Sequence, residues 1–330
     1  MSKIIIGIHG LGNKPPQDTL HKWWLKAICE GLQKINKLDY TPDFELVYWA
    51  DILNDKPLNS LIADSENPYF LDEPYSLSPE HFILKPNSTR KKFLGFLEHQ
   101  MDKIFLNDDL TPNFTFISEM IFKKYFRELD VYYSKGPEVN DKSYKTVKDI
   151  IRNRLAEIIK KHKVKEIFLI AHSMGSIIAY DVLSFLIPEI KIHTLATMGS
   201  PLGMPIIVSK IAEESKTINP KFDKLQTPKN VTKAWYNFSD IEDNVAINYT
   251  LSDDYEKNDI GIKVKDIVVV NDYMIKEERN PHKSYGYLRS KEFSEILSQF
   301  LLSDISKFEL WRLKVRDKIN SYMKKIMDKS

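Results

Sequence analysis

Ser173 is the residue whose surroundings most clearly suggest chemistry. It lies at the centre of AHSMG (171–175), between the apolar run IFLI at 167–170 and a segment with helical apolar spacing. A sharp strand-to-helix turn needs small residues two positions before and after its centre, and Ala171 and Gly175 meet that need. Such a turn holds the hydroxyl at the sheet edge, beside the positive end of the helix. The pattern predicts a nucleophilic serine; the alternative is a tight turn in which Ser173 merely caps the helix.

A second motif, His9-Gly10-Leu11-Gly12, follows the first apolar run of the chain. Glycine lets a backbone approach a ligand closely, and six of the chain's 11 glycines fall at 7–12, at 175 and at 199–203. A phosphate-binding loop is the alternative. However, no Lys-Ser/Thr pair follows, and the dinucleotide spacing G-x-G-x-x-G is absent. We expect the ring nitrogens of His9 to orient this loop rather than to carry a proton.

These two motifs resemble those of the α/β-hydrolase superfamily, in its lipase/esterase-like branch, over roughly 3–50 and 145–300. Ala171 stands where that superfamily usually has the first glycine of G-x-S-x-G. The resemblance implies an α/β-hydrolase fold with a mostly parallel central sheet, helices on both faces and an inserted, mainly helical lid. It also implies an oxyanion hole made by the backbone N–H groups of Leu11 and Met174. The residues that shape its loops would be His9, Gly10, Gly12 and Gly175.

The superfamily orders its catalytic residues as Ser, then Asp or Glu, then His. Two histidines follow Ser173. His193 opens a predicted strand at the opposite sheet edge, so His282, on the loop after the last strand, is the expected base. Its alternative is an ordinary solvent-exposed loop histidine. For the acid we prefer Asp243, since Asp-Asn-Val-Ala resembles the superfamily's acid loop, while Asp240, nearer the strand end, remains the alternative.

The rest of the chain alternates short apolar runs with amphipathic segments, which predicts βα units and a mostly parallel sheet. The runs are rich in Ile, Val, Phe and Tyr, as strands buried on both faces are. The predicted strands cover 4–9, 44–50, 166–172, 193–199, 233–238 and 266–270. Helices are predicted at 18–37, 145–162, 176–187 and 290–302, with apolar residues at the spacing of one helical face.

Residues 52–140 interrupt this alternation with many prolines and aromatic residues, and contain predicted helices near 90–106 and 114–129. We therefore expect a hydrolase core at 1–50 and 141–303, an inserted lid or cap at 51–140, and a C-terminal amphipathic helix at 304–330. The lid would exclude water from a lipophilic substrate, or its aromatic residues would pack only among themselves. The C-terminal helix would make peripheral contact with an anionic membrane or a partner, or dock on its own domain.

Composition excludes several other classes of protein. Lys and Arg number 48 and Asp and Glu 46, a balance too even to predict a nucleic-acid partner. CxxC pairs, HExxH and EF-hand patterns are absent, so we expect neither a metal nor a cofactor. The single cysteine, Cys29, the lack of a secretory-signal pattern and the lack of a run of about 18 apolar residues predict a cytoplasmic protein.

Together these observations predict a serine hydrolase that cleaves a carboxylic ester through an acyl-enzyme, with an acyl lipid or other lipophilic small molecule as substrate. A thioesterase or an amidase would use the same groups. The alternative from another class is a non-catalytic α/β-hydrolase scaffold that serves as a binding module.

Overall fold

Six parallel strands form the central sheet of the computed structural model, which describes residues 2–36, 41–80, 127–133, 146–246 and 249–304. The strands are β1 (Lys3–Ile8), β2 (Phe44–Val47), β3 (Glu166–His172), β4 (Ile192–Met198), β5 (Val231–Ser239) and β6 (Val264–Val268). Their order across the sheet is β2-β1-β3-β4-β5-β6, and every neighbouring pair is parallel. The structure confirms all six strands predicted from the sequence, with small shifts at their ends.

The apolar runs of the central strands reflect burial on both faces of the sheet. In β1, Ile4 and Ile6 point into one hydrophobic cluster, whereas Ile5 points into the other. In β3, Leu169 and Phe168 are divided in the same way. Because side chains alternate between the faces of a strand, such burial requires consecutive apolar residues rather than an alternating pattern.

Seven α-helices lie among the described residues. They are α1 (Gln17–Asn36), α2 (Arg127–Tyr133), α3 (Val147–Lys161), α4 (Met174–Asp181), α5 (Pro205–Ile218), α6 (Ser284–Leu288) and α7 (Lys291–Leu302). Helices α1, α6 and α7 cover one face of the sheet, and α2 to α5 cover the other. A 3₁₀-helix (Ala50–Ile52), a π-helical turn (Val182–Leu186) that extends α4, and a hairpin of β7 (Met274–Ile275) and β8 (Glu278–Arg279) complete the elements. The predicted α/β fold, with helices on both faces, is confirmed.

Helix α5 is missing from the elements predicted above, although the sequence carries its signals. Pro205 occupies the first turn, where a missing backbone N–H costs nothing. Ile207, Val208 and Ile211 are buried at helical spacing against the sheet. The short helix α6 is likewise absent from the predictions, because five residues are too few for a periodic pattern.

Most of the predicted lid lies outside the described residues. The predicted helix at 90–106 falls there entirely, and the one at 114–129 overlaps the described residues only at 127–129. Within 51–140, Leu129 and Tyr132 of α2 are buried in the same cluster as one face of the sheet. The C-terminal helix is outside as well, since residues 305–330 are not described. Among the described residues, no helix combines the length and apolar character needed to span a membrane.

A buried ionic cluster joins the helices on the α2–α5 face. Arg152 of α3 donates two hydrogen bonds to Glu214 of α5, at 2.6 and 2.7 Å, and one to Asp181 of α4, at 3.0 Å. The Tyr132 hydroxyl donates to the same Asp181 oxygen at 2.7 Å. Burial opposes ionisation of Glu214, but Arg152 and Lys148 together hold its pKa below the usual value.

We expect Arg152→Leu to lower the free energy of unfolding by roughly 3–5 kcal/mol, because it leaves buried carboxylates without their main counter-charge. Urea unfolding followed by circular dichroism measures the change. Lys160→Leu is the matched control, since Lys160 pairs with Glu157 at the surface, where the expected loss is under about 1 kcal/mol. Equal losses in the two variants would contradict the structural role of the cluster.

Candidate active site

Ser173 stands at the turn between β3 and α4 in a strained backbone conformation. Its φ is 54° and its ψ is −130°, in a region that non-glycine residues seldom occupy. The Ser173 N–H donates to the carbonyl of Met198 on the neighbouring strand, at 2.9 Å. The turn and its sheet neighbour thus fix the position of the hydroxyl. This is the sharp strand–turn–helix geometry that the AHSMG pattern predicts.

The loop at 9–12 passes directly beside Ser173. A Cβ atom on Gly10 would lie 2.5 Å from the Ser173 Cβ, so any side chain there would prevent the approach. Lys14 braces the loop from its far end by donating to the carbonyls of Gly12, at 2.9 Å, and Leu11. Met174 follows Ser173 directly as the first residue of α4. Gly175 packs against the backbone of Ile8 and His9 at the start of this loop.

His9 anchors the loop rather than facing Ser173 as a proton carrier. Its Nδ1 donates to the Gly10 carbonyl at 2.9 Å, and its Nε2 accepts the Trp49 N–H at 3.0 Å. The ring also stacks on Trp49, with 5.0 Å between centroids. Burial, together with the nearby charge of Lys14, holds the pKa of His9 well below its ordinary value. A neutral ring is required here, because Nε2 must accept a hydrogen bond.

The structure brings Ser173, His282 and Asp243 into one hydrogen-bonded row. The Ser173 Oγ lies 3.0 Å from His282 Nε2. On the other side of the ring, His282 Nδ1 lies 3.0 and 2.9 Å from the two carboxylate oxygens of Asp243. The Asp243 side chain is completely buried. It also accepts hydrogen bonds from the Tyr287 hydroxyl at 2.7 Å and from the Val245 N–H at 2.9 Å.

Asp240, the alternative acid, is engaged elsewhere. Its carboxylate accepts the Asn271 N–H at 2.6 Å and the Glu242 N–H at 2.8 Å, and forms an ion pair with Arg279. Arg279 also pairs with Glu242. Burial raises the pKa of Asp240, although these partners oppose the rise. Asp240 thus braces the loop that carries Asp243, and it is Asp243 that accepts the hydrogen bond from His282 Nδ1.

Gly199 fits this row of side chains as no other residue type would. Its φ is +52°, and a Cβ atom there would lie 2.7 Å from Asp243 Oδ2 and 3.1 Å from His282 Nδ1. Gly199 opens the turn 199–203, and none of the five residues of this turn lines the cavity beside Ser173.

Three residues that the sequence reasoning missed hold the His282 loop in place. The His172 Nε2 donates to the carbonyl of His282 at 2.7 Å. The Asn271 side-chain amide donates to the carbonyls on either side, those of Pro281 at 2.9 Å and Lys283 at 2.7 Å. His172 lies within the AHSMG motif and could have been suspected, whereas Asn271 carries no sequence signal. Burial and the proximity of His282 lower the pKa of His172, which keeps its ring neutral.

Glu73 is the third of these residues, and it reaches His282's neighbours from a segment far away in sequence. Its carboxylate accepts a hydrogen bond from the Asn280 amide at 2.5 Å and another from the Lys283 ammonium at 2.7 Å. Although burial opposes ionisation, Lys283 and Asn280 hold the pKa of Glu73 below its usual value. Residues on both sides of His282 are therefore tied to Glu73.

A cavity of about 390 Å³ opens beside Ser173 and His282. Its walls combine the 9–15 loop, the first turns of α1 and the His282 loop. Apolar side chains that line it include Leu11, Leu20, Trp24, Leu71 and Tyr285. Lys14, Asp72, Glu73 and Lys283 supply charge. Within the described ranges, no group of three or more His, Cys, Asp or Glu residues is arranged to hold a metal ion.

The lowered pKa values of His9 and His172 predict a pH-dependent stability. Below their ordinary pKa of 6.5, the unfolded chain binds protons that the folded chain does not, so folding loses stability as pH falls. Each neutral, buried ring lowers the free energy of unfolding by up to about 1.4 kcal/mol for every pH unit below 6.5. We expect the two rings together to make the free energy of unfolding about 2.5 kcal/mol lower at about pH 5.5 than at about pH 7.

Urea unfolding across this range provides the measurement. His9→Gln retains a donor and an acceptor but cannot titrate, so it should remove about half of the pH dependence. A free energy of unfolding that stays constant over this range would contradict the neutral, buried state of both rings.

Comparison with known proteins shows the family to which the chain belongs. The family model described as "PGAP1-like alpha/beta domain" matches residues 119–296, more than half of the chain and the part that carries Ser173, Asp243 and His282. The comparison with curated proteins gave no match. The chain belongs to the PGAP1-like alpha/beta domain family and is a hydrolase of the α/β-hydrolase fold.

Proposed function

We propose that this protein is a serine hydrolase that cleaves a carboxylic ester by forming an acyl-enzyme on Ser173. The observation that carries the proposal is the row of hydrogen bonds from Ser173 through His282 to Asp243, with no step longer than 3.0 Å. Ser173, at one end of this row, lines the cavity described above. A nucleophile, a base and an orienting acid in this relation are what acyl transfer to serine needs.

In the first half-reaction, Ser173 Oγ attacks the ester carbonyl while His282 Nε2 takes the hydroxyl proton. The carbonyl oxygen becomes an oxyanion, which the N–H groups of Leu11 and Met174 would stabilise. The Met174 N–H suits this role because the first N–H groups of a helix have no acceptor within it and lie at its positive end. The ester C–O bond then breaks, and the departing alcohol takes the proton from His282.

In the second half-reaction, His282 takes a proton from water as the water attacks the acyl-enzyme. Collapse of the second tetrahedral intermediate returns that proton to Ser173 and releases the carboxylic acid. Asp243 keeps the proton of neutral His282 on Nδ1, so that Nε2 can accept one, and stabilises the imidazolium. The bonds from Tyr287 and Val245 hold the Asp243 carboxylate in position for this.

The apolar walls of the cavity support a lipophilic ester, such as an acyl lipid, as substrate. A thioester or an amide would react through the same groups, and a binding module would keep the cavity without the chemistry. The membrane contact proposed for 304–330 and the proposed lid at 51–140 depend mostly on residues outside the described ranges. They remain predictions, as does the cytoplasmic location.

Labelling with a fluorophosphonate distinguishes an enzyme from a binding module. We expect the wild type to form a covalent adduct on Ser173, because His282 makes its Oγ nucleophilic. Ser173→Ala should form none while keeping its circular dichroism spectrum. Intact-mass spectrometry measures the adduct. A folded wild type that stays unlabelled would refute the proposed enzymatic activity. Rates of hydrolysis of matched p-nitrophenyl esters, thioesters and anilides would rank the three substrate classes.

A pair of matched variants tests the acid. We expect Asp243→Asn to lower kcat by about 10⁴-fold, because an amide at this position favours the wrong tautomer of the base. Asp240→Asn makes the same change in an equally buried residue that does not contact His282, so its effect on kcat should be far smaller. Steady-state hydrolysis of p-nitrophenyl butyrate measures both. Equal losses in the two variants would contradict the assignment of Asp243, rather than Asp240, as the acid.

A further inference from the structure

Glu73 and Lys283 form an ion pair on the wall of the cavity beside Ser173. The Glu73 Oε2 lies 2.7 Å from the Lys283 Nζ. The two side chains are 30% and 25% exposed, so water screens their charges only in part. Lys283 directly follows His282 along the chain, and the Glu73 carboxylate interacts electrostatically with the His282 ring. The pair therefore lies where its charges act on the candidate base.

We propose that Glu73 is a positioning residue for the base: its carboxylate holds Lys283 and balances the ammonium charge, so that this cation does not oppose the imidazolium form of His282. The inference rests on the proposed function, in which His282 takes the proton of Ser173. Nearby negative charge stabilises an imidazolium, and a nearby cation destabilises it. Asp243 supplies the negative charge in contact with the ring, and Glu73 offsets the charge of the next residue along the chain.

The Lys283 ammonium has contacts other than Glu73 that keep it close to the base. It lies 5.9 Å from the centroid of the Tyr273 ring and 5.9 Å from that of the Tyr285 ring. An aromatic ring attracts a cation at this distance. Removal of the Glu73 charge would therefore leave the ammonium near His282 without its counter-charge.

The segment that carries Glu73 is also fixed by contacts of its own. The Tyr273 hydroxyl donates to the carbonyl of Pro74 at 2.6 Å. The Tyr75 hydroxyl donates to the carboxylate of Glu30, on α1, at 2.8 Å. Because these bonds do not involve the Glu73 side chain, a neutral residue at position 73 should leave the segment in place.

Other charged or titratable groups surround His282 and act on its proton as well. His172 is the nearest of these besides Asp243, with 4.9 Å between the ring centroids, and burial keeps it neutral. The remaining groups line the cavity, contact Asp243 or Lys283, or lie behind the acid loop: Lys14, Asp72, Tyr273, Tyr285, Tyr287, Asp240, Glu242 and Arg279. The variants below keep all of them, so a difference between variants reports the ion pair.

The two charges of the pair predict opposite shifts in the pH dependence of hydrolysis. The acidic limb of kcat/KM for p-nitrophenyl butyrate reports protonation of the base. Glu73→Gln keeps an oxygen that can accept from Asn280 but leaves Lys283 unbalanced, so the midpoint of this limb should fall by roughly half a pH unit. Lys283→Met leaves the Glu73 carboxylate unbalanced and should raise the midpoint by a similar amount. The double variant should return close to the wild-type midpoint.

Glu278→Gln is the matched control. Glu278 is exposed on β8, two residues before Asn280, and its substitution removes the same charge. Because water screens an exposed charge, the midpoint should stay at its wild-type value. Shifts of the same sign in Glu73→Gln and Lys283→Met, or no shift in either, would overturn the proposal. If Glu73→Gln does not fold, Lys283→Met decides alone: a raised midpoint supports the proposal and an unchanged one overturns it.

A direct titration separates this inference from the proposed chemistry. NMR of the full chain with isotope-labelled imidazole nitrogens follows protonation of His282 without any substrate, and His282→Gln identifies its signal. If Ser173 cannot be labelled but the His282 titration moves in opposite directions in the two single variants, the hydrolase fails and the charge balance stands. If the wild type hydrolyses the ester but the His282 titration is the same in both variants, the charge balance fails and the hydrolase stands.

Discussion

The strained backbone of Ser173 is the constraint from which the rest of the site follows. A positive φ at a non-glycine residue costs of order 1–3 kcal/mol, so it persists only where the surroundings determine it. Here β3 is buried on both faces and α4 packs entirely into the core, so the turn between them has no room to relax. The hydrophobic burial of β3 and α4 therefore fixes the position of the Ser173 hydroxyl.

The role proposed for that hydroxyl requires a base held with comparable accuracy, yet His282 belongs to no helix or strand. Loop residues need polar contacts to replace the regular hydrogen bonds of secondary structure. Asn271 and His172 supply such contacts by donating to the carbonyls of residues 281, 282 and 283. The neutral state of His172 suits this arrangement, because a positive charge beside His282 would oppose the imidazolium that the proposed mechanism forms.

The central strands and the residues Ser173, His282 and Asp243 could be predicted from the sequence, for separate physical reasons. Burial on both faces makes each central strand an unbroken apolar run, and the tight turn restricts residue types around Ser173. The sequence alone separates Asp243 from Asp240 poorly, because both residues follow β5. Which of them is the candidate acid depends on which side chain contacts His282. The contact of Glu73 with the His282 loop joins residues about two hundred positions apart, so no local pattern could reveal it. Helix α5 differs from these cases, since Pro205 and the apolar spacing after it were readable.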